Sequence, residues 1–312
     1  NPATMSSDTD RPVGSGDEME TEEKSSEDYA VALVRFLKKC RPKKGQKANF
    51  TQMEGGNVYI DSEKRDEFLE LWAGGYPSLP PCFSLCPQMK LTKAPFAIDI
   101  DVFTHSQVEL AREKILSFVG TLVQILDQRK GGRDHTVIVT KKDAPYPASI
   151  TVNGTKVQGW KSGCHIFVVT REEDAEHIRE RLYTKKVQTH IREICEREGV
   201  VARLVEGLDL IQEISEVWDY SVASKTSWPM LIGSTKNKEP NGGISKPWWV
   251  AQFHGAQLGE IVEDLRERWQ EDKEFRRDLL EQLYACVWYA VPDKTKARVK
   301  KGPKKGPKKA KK

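Results

Sequence analysis

The sequence predicts a mixed α/β protein, of the α+β kind, that forms one large or two small domains. Segments in which apolar residues recur at helical spacing alternate with short runs rich in β-branched residues, and no internal repeat is detectable. The 312 residues are 38% hydrophobic and 31% charged, which is typical of a globular protein with a strongly charged surface. The chain therefore has enough apolar residues to bury a core.

The N-terminal part predicts two helices on either side of a short strand. Residues 26–40, SEDYAVALVRFLKKC, have apolar residues at helical spacing and a basic end. Residues 55–62, GGNVYIDS, predict a short strand, after which Asp61 or Ser62 is placed to cap a helix over residues 63–75. Two glycines at the end of that segment predict where the helix stops.

The middle of the chain predicts the main strands. Residues 94–103, APFAIDIDVF, are typical of a buried strand, and a helical pattern follows over residues 106–128. Residues 135–142 and 163–170 are rich in β-branched residues and predict two further strands. The segment between them contains proline and a glycine turn, which favours a hairpin.

The C-terminal part predicts mainly helices. Residues 174–198 have the composition of a long charged helix, and residues 201–208 are a further candidate element. Residues 259–290 predict one or two helices that close the fold.

The two ends differ in charge from the rest of the chain. Residues 1–30 hold nine Asp and Glu against two basic residues, and residues 293–312 hold eleven Lys and Arg against one Asp. Such segments cannot bury enough apolar surface to offset chain entropy. We therefore predict an acidic disordered segment over 1–27, a folded core over 28–292 and a basic disordered tail after it.

Membrane and zinc signals are weak. No apolar run approaches the roughly 18 residues that span a bilayer, and the N-terminus lacks a signal-peptide pattern, so we expect a soluble, intracellular protein with no membrane partner. Cys82 and Cys86 are closely spaced in a proline-rich stretch, without a second cysteine or histidine pair. This pattern is a weak zinc signal, and it favours reduced structural cysteines instead.

Asp99 and Asp101 are the first candidate site residues. In a strand, residues two apart point to the same face, so the two carboxylates lie side by side. Their charges would raise each other's pKa, and a divalent cation such as Mg²⁺ or Mn²⁺ removes that conflict. The alternative is that one carboxylate caps the following helix while the other faces solvent.

Two further motifs could contact phosphate. In GWKSGCHIFVV, Lys161 and His165 could bind an anion while Gly163 permits a close backbone approach; the alternative is a core histidine beside an exposed lysine. In the third motif Asp219 is followed by IGSTK, where Ser234 and Lys236 could contact phosphate, unless this is a simple surface turn. The P-loop pattern GxxxxGK[ST] is absent.

The order of these motifs resembles that of the archaeo-eukaryotic primase superfamily, in particular its primase-polymerase members from large DNA viruses and mobile elements. The resemblance covers roughly residues 28–250. GGNVYID resembles the first Gly-Gly strand element, FAIDID the DxD motif and KSGCHIF the KxGxH motif, while Asp219 with IGSTK resembles the third motif and the segment after it.

The resemblance implies an archaeo-eukaryotic primase-type core, with an RRM-like palm joined to a smaller N-terminal α/β unit. It implies primase or primase-polymerase activity, which is template-directed transfer of nucleotides to a hydroxyl with two Mg²⁺ or Mn²⁺ ions. The implied catalytic residues and metal ligands are Asp99, Asp101 and Asp219. The residues implied to contact the triphosphate are Lys161, Ser162 and His165, and those implied to lie near its phosphates or the template are Ser234 and Lys236.

The resemblance also implies partners: a single-stranded DNA template and NTP or dNTP substrates. No helicase motif follows in the chain, so a replicative helicase could be a separate protein or could be lost by truncation. The location expected is the nucleus or a site of viral or mobile-element DNA replication. The basic tail could contact phosphates or act as a nuclear localisation signal. Trp248 and Trp249 could stack a base, or they could lie half in the core and half on the surface.

Two departures keep other functions open. Relatives commonly carry an Arg where this chain has Met230, and a Tyr shortly after the third Asp, where this chain has Val222 and Ala223. One alternative is therefore a catalytically inactive, primase-like module that binds single-stranded DNA and recruits replication partners. Another is a metal-dependent nuclease, which shares the DxD motif but gives no reason for the other two motifs.

Overall fold

The computed structural model describes residues 24–52, 56–80, 83–88, 93–94, 96–128, 133–172, 179–180, 183–219, 231–234, 246–284 and 287. Most of the predicted acidic segment and all of the predicted basic tail lie outside these ranges, so both stay predictions, as do the boundaries of the core. No helix in the described ranges is both long enough and apolar enough to cross a membrane.

The described residues form seven helices and twelve strands. The helices are α1 (Ser26–Lys39), α2 (Arg65–Gly75), α3 (Arg112–Gln128), α4 (Lys185–Arg197), α5 (Val200–Leu204), α6 (Leu265–Glu271) and α7 (Lys273–Tyr284). The strands are β1 (Phe50–Gln52), β2 (Gly56–Val58), β3 (Leu85–Pro87), β4 (Lys93–Ala94), β5 (Phe96–Thr104), β6 (Asp134–Lys141), β7 (Tyr146–Val152), β8 (Thr155–Glu172), β9 (Arg179–Glu180), β10 (Tyr183–Thr184), β11 (Lys246–His254) and β12 (Gln257–Glu263). The mixed α/β prediction is confirmed.

The N-terminal unit packs α1 and α2 against a three-stranded antiparallel sheet of order β2-β1-β3. Helix α1 begins where the sequence predicts it, because the Ser25 hydroxyl accepts a hydrogen bond from the Asp28 backbone N–H and the Asp28 carboxylate accepts one from the Ser25 N–H. The Asp61 side chain caps a short 3-10 turn that leads into α2, so the predicted cap is confirmed. Helix α2 ends at Gly75, as the glycine pair predicts.

The main sheet is antiparallel and has the strand order β12-β11-β6-β8-β5, with β7 and β9 also paired to β8. Residues 209–219, here called the outer segment, run antiparallel along the free side of β5 through bridges at Ile100 with Trp218 and at Thr104 with Leu210. Helix α3 connects β5 to β6, and α4 and α5 connect β8 to the outer segment. This βαββαβ connectivity is that of the RRM-like palm that the resemblance implies.

Each face of the sheet buries one core. On one face, Ile98, Ile100 and Val102 pack with residues of α3, α4 and α5. On the other face, Ala97 and Phe167 pack with the N-terminal unit and with α6 and α7. Both faces of the sheet are therefore covered. The N-terminal unit and the C-terminal helices together form the layer on the second face.

Arg276 joins the N-terminal unit to the C-terminal helices within the layer that covers the palm. Its side chain is 5% exposed, and its guanidinium donates to the backbone oxygens of Ala73 at 2.7 Å, Trp269 at 2.7 Å and Gln270 at 2.8 Å. These carbonyls lie near the ends of α2 and α6, where the last turn of a helix leaves its oxygens without partners inside the helix. A single buried cation therefore satisfies the ends of two helices.

Three predicted elements differ from the structure. Helix α4 begins at Lys185 rather than at residue 174, because the preceding residues 179–180 and 183–184 pair with β8 and β4 as short strands. Residues 257–263 are strand β12 rather than helix, since they pair with β11, a strand that the sequence did not predict. Helix α3 begins at Arg112 rather than at residue 106.

The predicted hairpin before the strand over residues 163–170 is confirmed, and its second strand continues directly into that strand. Strand β8 begins at Thr155, and its residues 155–159 pair with β7 before the strand reaches β5 at Trp160. The turn between them holds Asn153 and Gly154 with φ of 49° and 78°, which are the positive angles that a tight hairpin turn requires.

We expect Arg276→Met to lower the free energy of unfolding by about 2–4 kcal/mol, because it leaves three carbonyls near two helix ends without their charged donor. Urea denaturation followed by circular dichroism measures this loss. The neighbouring Arg277 is the matched control. Its side chain is 36% exposed, and its guanidinium lies 4.0 Å from Glu70 and 3.9 Å from Glu274. Arg277→Met should cost under about 1 kcal/mol, and equal losses in both variants would contradict the role given to Arg276.

Candidate metal centre

Strand β5 explains why a buried strand carries two carboxylates. Its apolar residues Ile100 and Val102 face the core under α3, and the alternate residues Asp99 and Asp101 face the opposite side. The register sets Asp99 opposite His165 and Asp101 opposite Gly163 on β8. The two aspartate side chains are 22% and 27% exposed, so they lie on the floor of a cleft.

The outer segment brings the third acid to the first two. The Asp101 N–H donates to the Val217 carbonyl at 2.9 Å, and the Asp219 N–H donates to the Asp99 carbonyl at 2.9 Å. Gln212 secures the same edge, because its side chain donates to the Asp101 carbonyl at 2.8 Å and accepts from the Phe103 N–H at 3.0 Å. Asp219 is therefore fixed beside Asp99 by backbone pairing.

The three carboxylates form a compact oxygen cluster. One oxygen from each of Asp99, Asp101 and Asp219 lies within 4.8 Å of the others. Burial raises the pKa of Asp99, and the negative charges of Asp101 and Asp219 raise it further, against the opposing effects of His165 and Lys161. Carboxylate oxygens that repel one another in a partly buried cleft fit Mg²⁺ or Mn²⁺, which prefer such ligands.

Lys161 and His165, the two side chains predicted to bind an anion, lie directly against these acids. The Lys161 ammonium is 2.7 Å from Asp101 Oδ1, and His165 Nε2 is 3.4 Å from Asp99 Oδ1. The register accounts for both contacts, since Lys161 and His165 lie on the same face of β8 and flank Gly163. In this structure, the negative charge of the cleft is thus offset by side chains of the neighbouring strand.

Gly163 is needed where β5 and β8 meet. A β-carbon at this position would overlap the carbonyl oxygen of Ile100 on β5. The close backbone approach that the sequence suggests at Gly163 is therefore an approach between two strands of the sheet. It lets β8 lie flush against the strand that carries the acids.

The other predicted nucleotide contacts differ in position. Ser162 pairs with Val102 on β5 and is among the residues that line the cleft with the acids. Among the described residues its Oγ is buried without a hydrogen-bond partner. Ser234 lines the same cleft as the acids, but it is 4% exposed and its Oγ accepts a hydrogen bond from the Leu85 N–H at 3.3 Å. Lys236 lies outside the described residues.

Among the remaining candidate residues, those that the structure describes take no part in the acid cluster. Trp249 is buried in the core, and Trp248 is half-buried with the Lys141 ammonium 3.9 Å from its ring centre. Cys86 lies on β3, whereas Cys82 lies outside the described residues. Met230, Val222 and Ala223, where the sequence departs from its relatives, also lie outside them.

Comparison with protein families identifies the chain. The model of the C962R protein N-terminal AEP domain, where AEP stands for archaeo-eukaryotic primase, matches residues 49–247. The chain belongs to this family. A search of curated proteins finds no match. The AEP domain family points to a primase-type function, and the matched range contains the three acids, Lys161 and His165.

Gln212 positions the backbone of the AEP site, and the sequence alone did not predict this role. It lies 111 residues from Asp101 in the chain, and its partners are backbone atoms of another strand. A single glutamine outside any motif gives no signal of such a contact. Paired substitutions at position 212 and on β5 would not reveal the contact either, because every residue type on β5 offers the same backbone carbonyl.

We expect Mn²⁺ affinity to fall as the pH decreases through the raised pKa of Asp99. Above that pKa the carboxylate is charged and available, whereas below it a proton occupies the ligand and competes with the metal. Isothermal titration calorimetry with Mn²⁺ at several pH values between about 5 and 8 measures this dependence. Asp99→Asn, which cannot titrate, should bind weakly with a flatter pH profile. A wild-type affinity that is constant over the range would contradict the expectation.

We expect Lys161→Met to destabilise the metal-free protein by about 1–3 kcal/mol, since it leaves Asp101 beside two like charges without its counter-ion. Saturating Mn²⁺ should recover most of the loss, because the metal supplies the missing positive charge. Thermal unfolding with and without Mn²⁺ measures both effects. Lys156→Met, an exposed lysine of the same hairpin, is the control and should change neither value.

Proposed function

We propose that this chain is a primase or primase-polymerase that transfers nucleotides to a hydroxyl under the direction of a single-stranded DNA template, with Mg²⁺ or Mn²⁺ as cofactor. The observation that supports this most is the cluster of Asp99, Asp101 and Asp219, whose oxygens lie within 4.8 Å of one another in an AEP palm. Lys161 and His165 beside them suit a triphosphate.

The acids would hold the metal ions. Two ions held there would lower the pKa of the attacking 3′-hydroxyl and stabilise the pyrophosphate that leaves. In the reaction the 3′-oxygen forms a bond to the α-phosphorus, the bond from that phosphorus to pyrophosphate breaks, and the hydroxyl proton is released to solvent. Asp219 and Asp99, fixed by the paired backbones, would keep the ligand oxygens in place throughout.

The side chains of Lys161 and His165 would change partners when substrate binds. In this structure Lys161 forms an ion pair with Asp101, and His165 Nε2 lies 3.4 Å from Asp99 Oδ1. Metal ions on the carboxylates would make these contacts unnecessary, and the two cations would then be available for the triphosphate oxygens. Lys161 and His165 would thereby balance the charge of the cleft both before and after the nucleotide enters.

Further contacts with substrate belong to this proposal. Ser234 lines the cleft, and with Lys236 it would lie near the phosphates or the template. Ser162 lines the same cleft, and its buried Oγ, which has no hydrogen-bond partner among the described residues, would contact the triphosphate. The basic tail would add salt-sensitive attraction to DNA phosphates. A separate helicase partner and a nuclear or viral-replication location stay predictions.

We expect Asp99→Asn and Asp219→Asn each to reduce primer synthesis more than about 100-fold, since each removes a charge that faces the reacting phosphates. The assay follows incorporation of labelled NTP or dNTP on single-stranded DNA with Mg²⁺ or Mn²⁺. Asp264→Asn is the matched control: Asp264 lies at the start of α6 with φ of 52°, a conformation that asparagine tolerates, and should retain activity.

The same assay separates the alternatives. Incorporation by wild type that the two variants retain would contradict the proposed site. Single-stranded DNA binding without incorporation under any metal would favour the inactive binding module. Cleavage of labelled DNA in the absence of nucleotide, lost in Asp99→Asn, would favour a nuclease.

A further inference from the structure

A row of ring and lysine side chains continues the face that carries the acids. The register sets Phe103 of β5 opposite Lys161 of β8, and Lys161 opposite Tyr146 of β7. Residues directly opposite each other in a sheet point to the same face, and Phe103 is two residues beyond Asp101. Phe103, Lys161 and Tyr146, here called the aromatic row, therefore continue the face that carries the acids, and Lys161 and Tyr146 line the cleft itself.

The two rings of this row are not part of either core. Phe103 and Tyr146 are half-buried, whereas their neighbour Val102 is fully buried under α3. The hydrophobic residues of the two cores described above include neither ring. Aromatic side chains placed beside a polar site, and outside the packed interior, are suited to contact a ligand.

Cations already lie on both rings. The Lys161 ammonium is 5.1 Å from the Phe103 ring centre while it contacts Asp101 at 2.7 Å, so its aliphatic stem lies along the row. The Lys142 ammonium is 3.7 Å from the Tyr146 ring centre. These contacts show that each ring has a face on which a cation lies, and they place positive charge where a phosphate could use it.

We propose that the aromatic row binds the base of a nucleotide whose phosphates lie at the acids. Two residues along a strand span about 6.6–6.8 Å, which is comparable to the sugar that separates a phosphate from its base. The base would stack on Tyr146 and Phe103, and the displaced Lys142 would contact a phosphate. This assignment rests on the proposed function for the position of the phosphates, and it adds a base subsite to that function.

A subsite made of aromatic rings is tolerant of base identity. A ring face stacks on any base, whereas selective recognition needs hydrogen bonds to base edges. The template would supply the choice of nucleotide by pairing, and the aromatic row would supply affinity that is common to all four.

Binding is tested with a fluorescent base, 2-aminopurine, which is quenched when it stacks. One arm uses the 2-aminopurine nucleoside triphosphate, and the other uses single-stranded DNA with one 2-aminopurine; both contain Ca²⁺. Tyr146→Leu and Phe103→Leu should each lose quenching and about 5- to 100-fold in affinity, whereas Tyr146→Phe, which keeps the ring, retains both. Trp160→Leu removes a ring from the opposite face of the same hairpin and is the matched control.

Loss in the triphosphate arm assigns the row to the incoming nucleotide and supports the proposal, whereas loss confined to the DNA arm would place a template or primer base there and contradict it. Wild-type affinity and quenching in folded Tyr146→Leu and Phe103→Leu proteins, in both arms, would overturn it. Because these measurements need no turnover, they are independent of catalysis. If the wild-type protein makes no primer but the leucine variants lose base binding, the catalytic proposal fails while the base subsite stands.

Discussion

The hydrogen-bonded pairing of the outer segment with β5 is the interaction on which the site depends. It includes backbone hydrogen bonds between Asp101 and Val217 and between Asp219 and Asp99. The Gln212 side chain adds two more, because it donates to the Asp101 carbonyl and accepts from the Phe103 N–H. Because these contacts fix main-chain atoms, the carboxylate of Asp219 is held at the position that its strand register dictates. Without them, two aspartates would remain on β5 and the third would have no defined place.

Charge is the second constraint on this cleft. Three carboxylates whose oxygens lie within 4.8 Å of one another repel, and burial adds to the cost of ionising Asp99. Strand β8 offsets this by placing Lys161 and His165 on the same face as the acids. The aromatic row then extends this face beyond the charged residues. One face of the antiparallel sheet thus carries the carboxylate oxygens, the Lys161 ammonium and the rings of Phe103 and Tyr146 side by side.

The cleft lies where the palm meets the layer that covers it. Residues 231–234 connect the two: the Leu231 N–H donates to the Leu85 carbonyl at 2.8 Å, and the Trp72 indole donates to the Ile232 carbonyl at 3.0 Å. The Ile232 N–H donates in turn to the Tyr284 hydroxyl at 3.2 Å. The N-terminal unit and α7 therefore hold the segment that carries Ser234, and stability of that layer bears directly on the geometry of the site.

The sequence by itself determined the local features of this protein. The period of two placed Asp99 and Asp101 on one face, capping residues set the start of α1 and of the turn before α2, and the order of the motifs indicated the family. Tertiary structure alone decided the rest. Residues 257–263 have no strong strand pattern and became β12 by pairing with β11, and Gln212 and Asp219 reached β5 through contacts with main-chain atoms far away in the chain. The physical reason is that backbone hydrogen bonds between distant segments have no signature in the side chains that a sequence records.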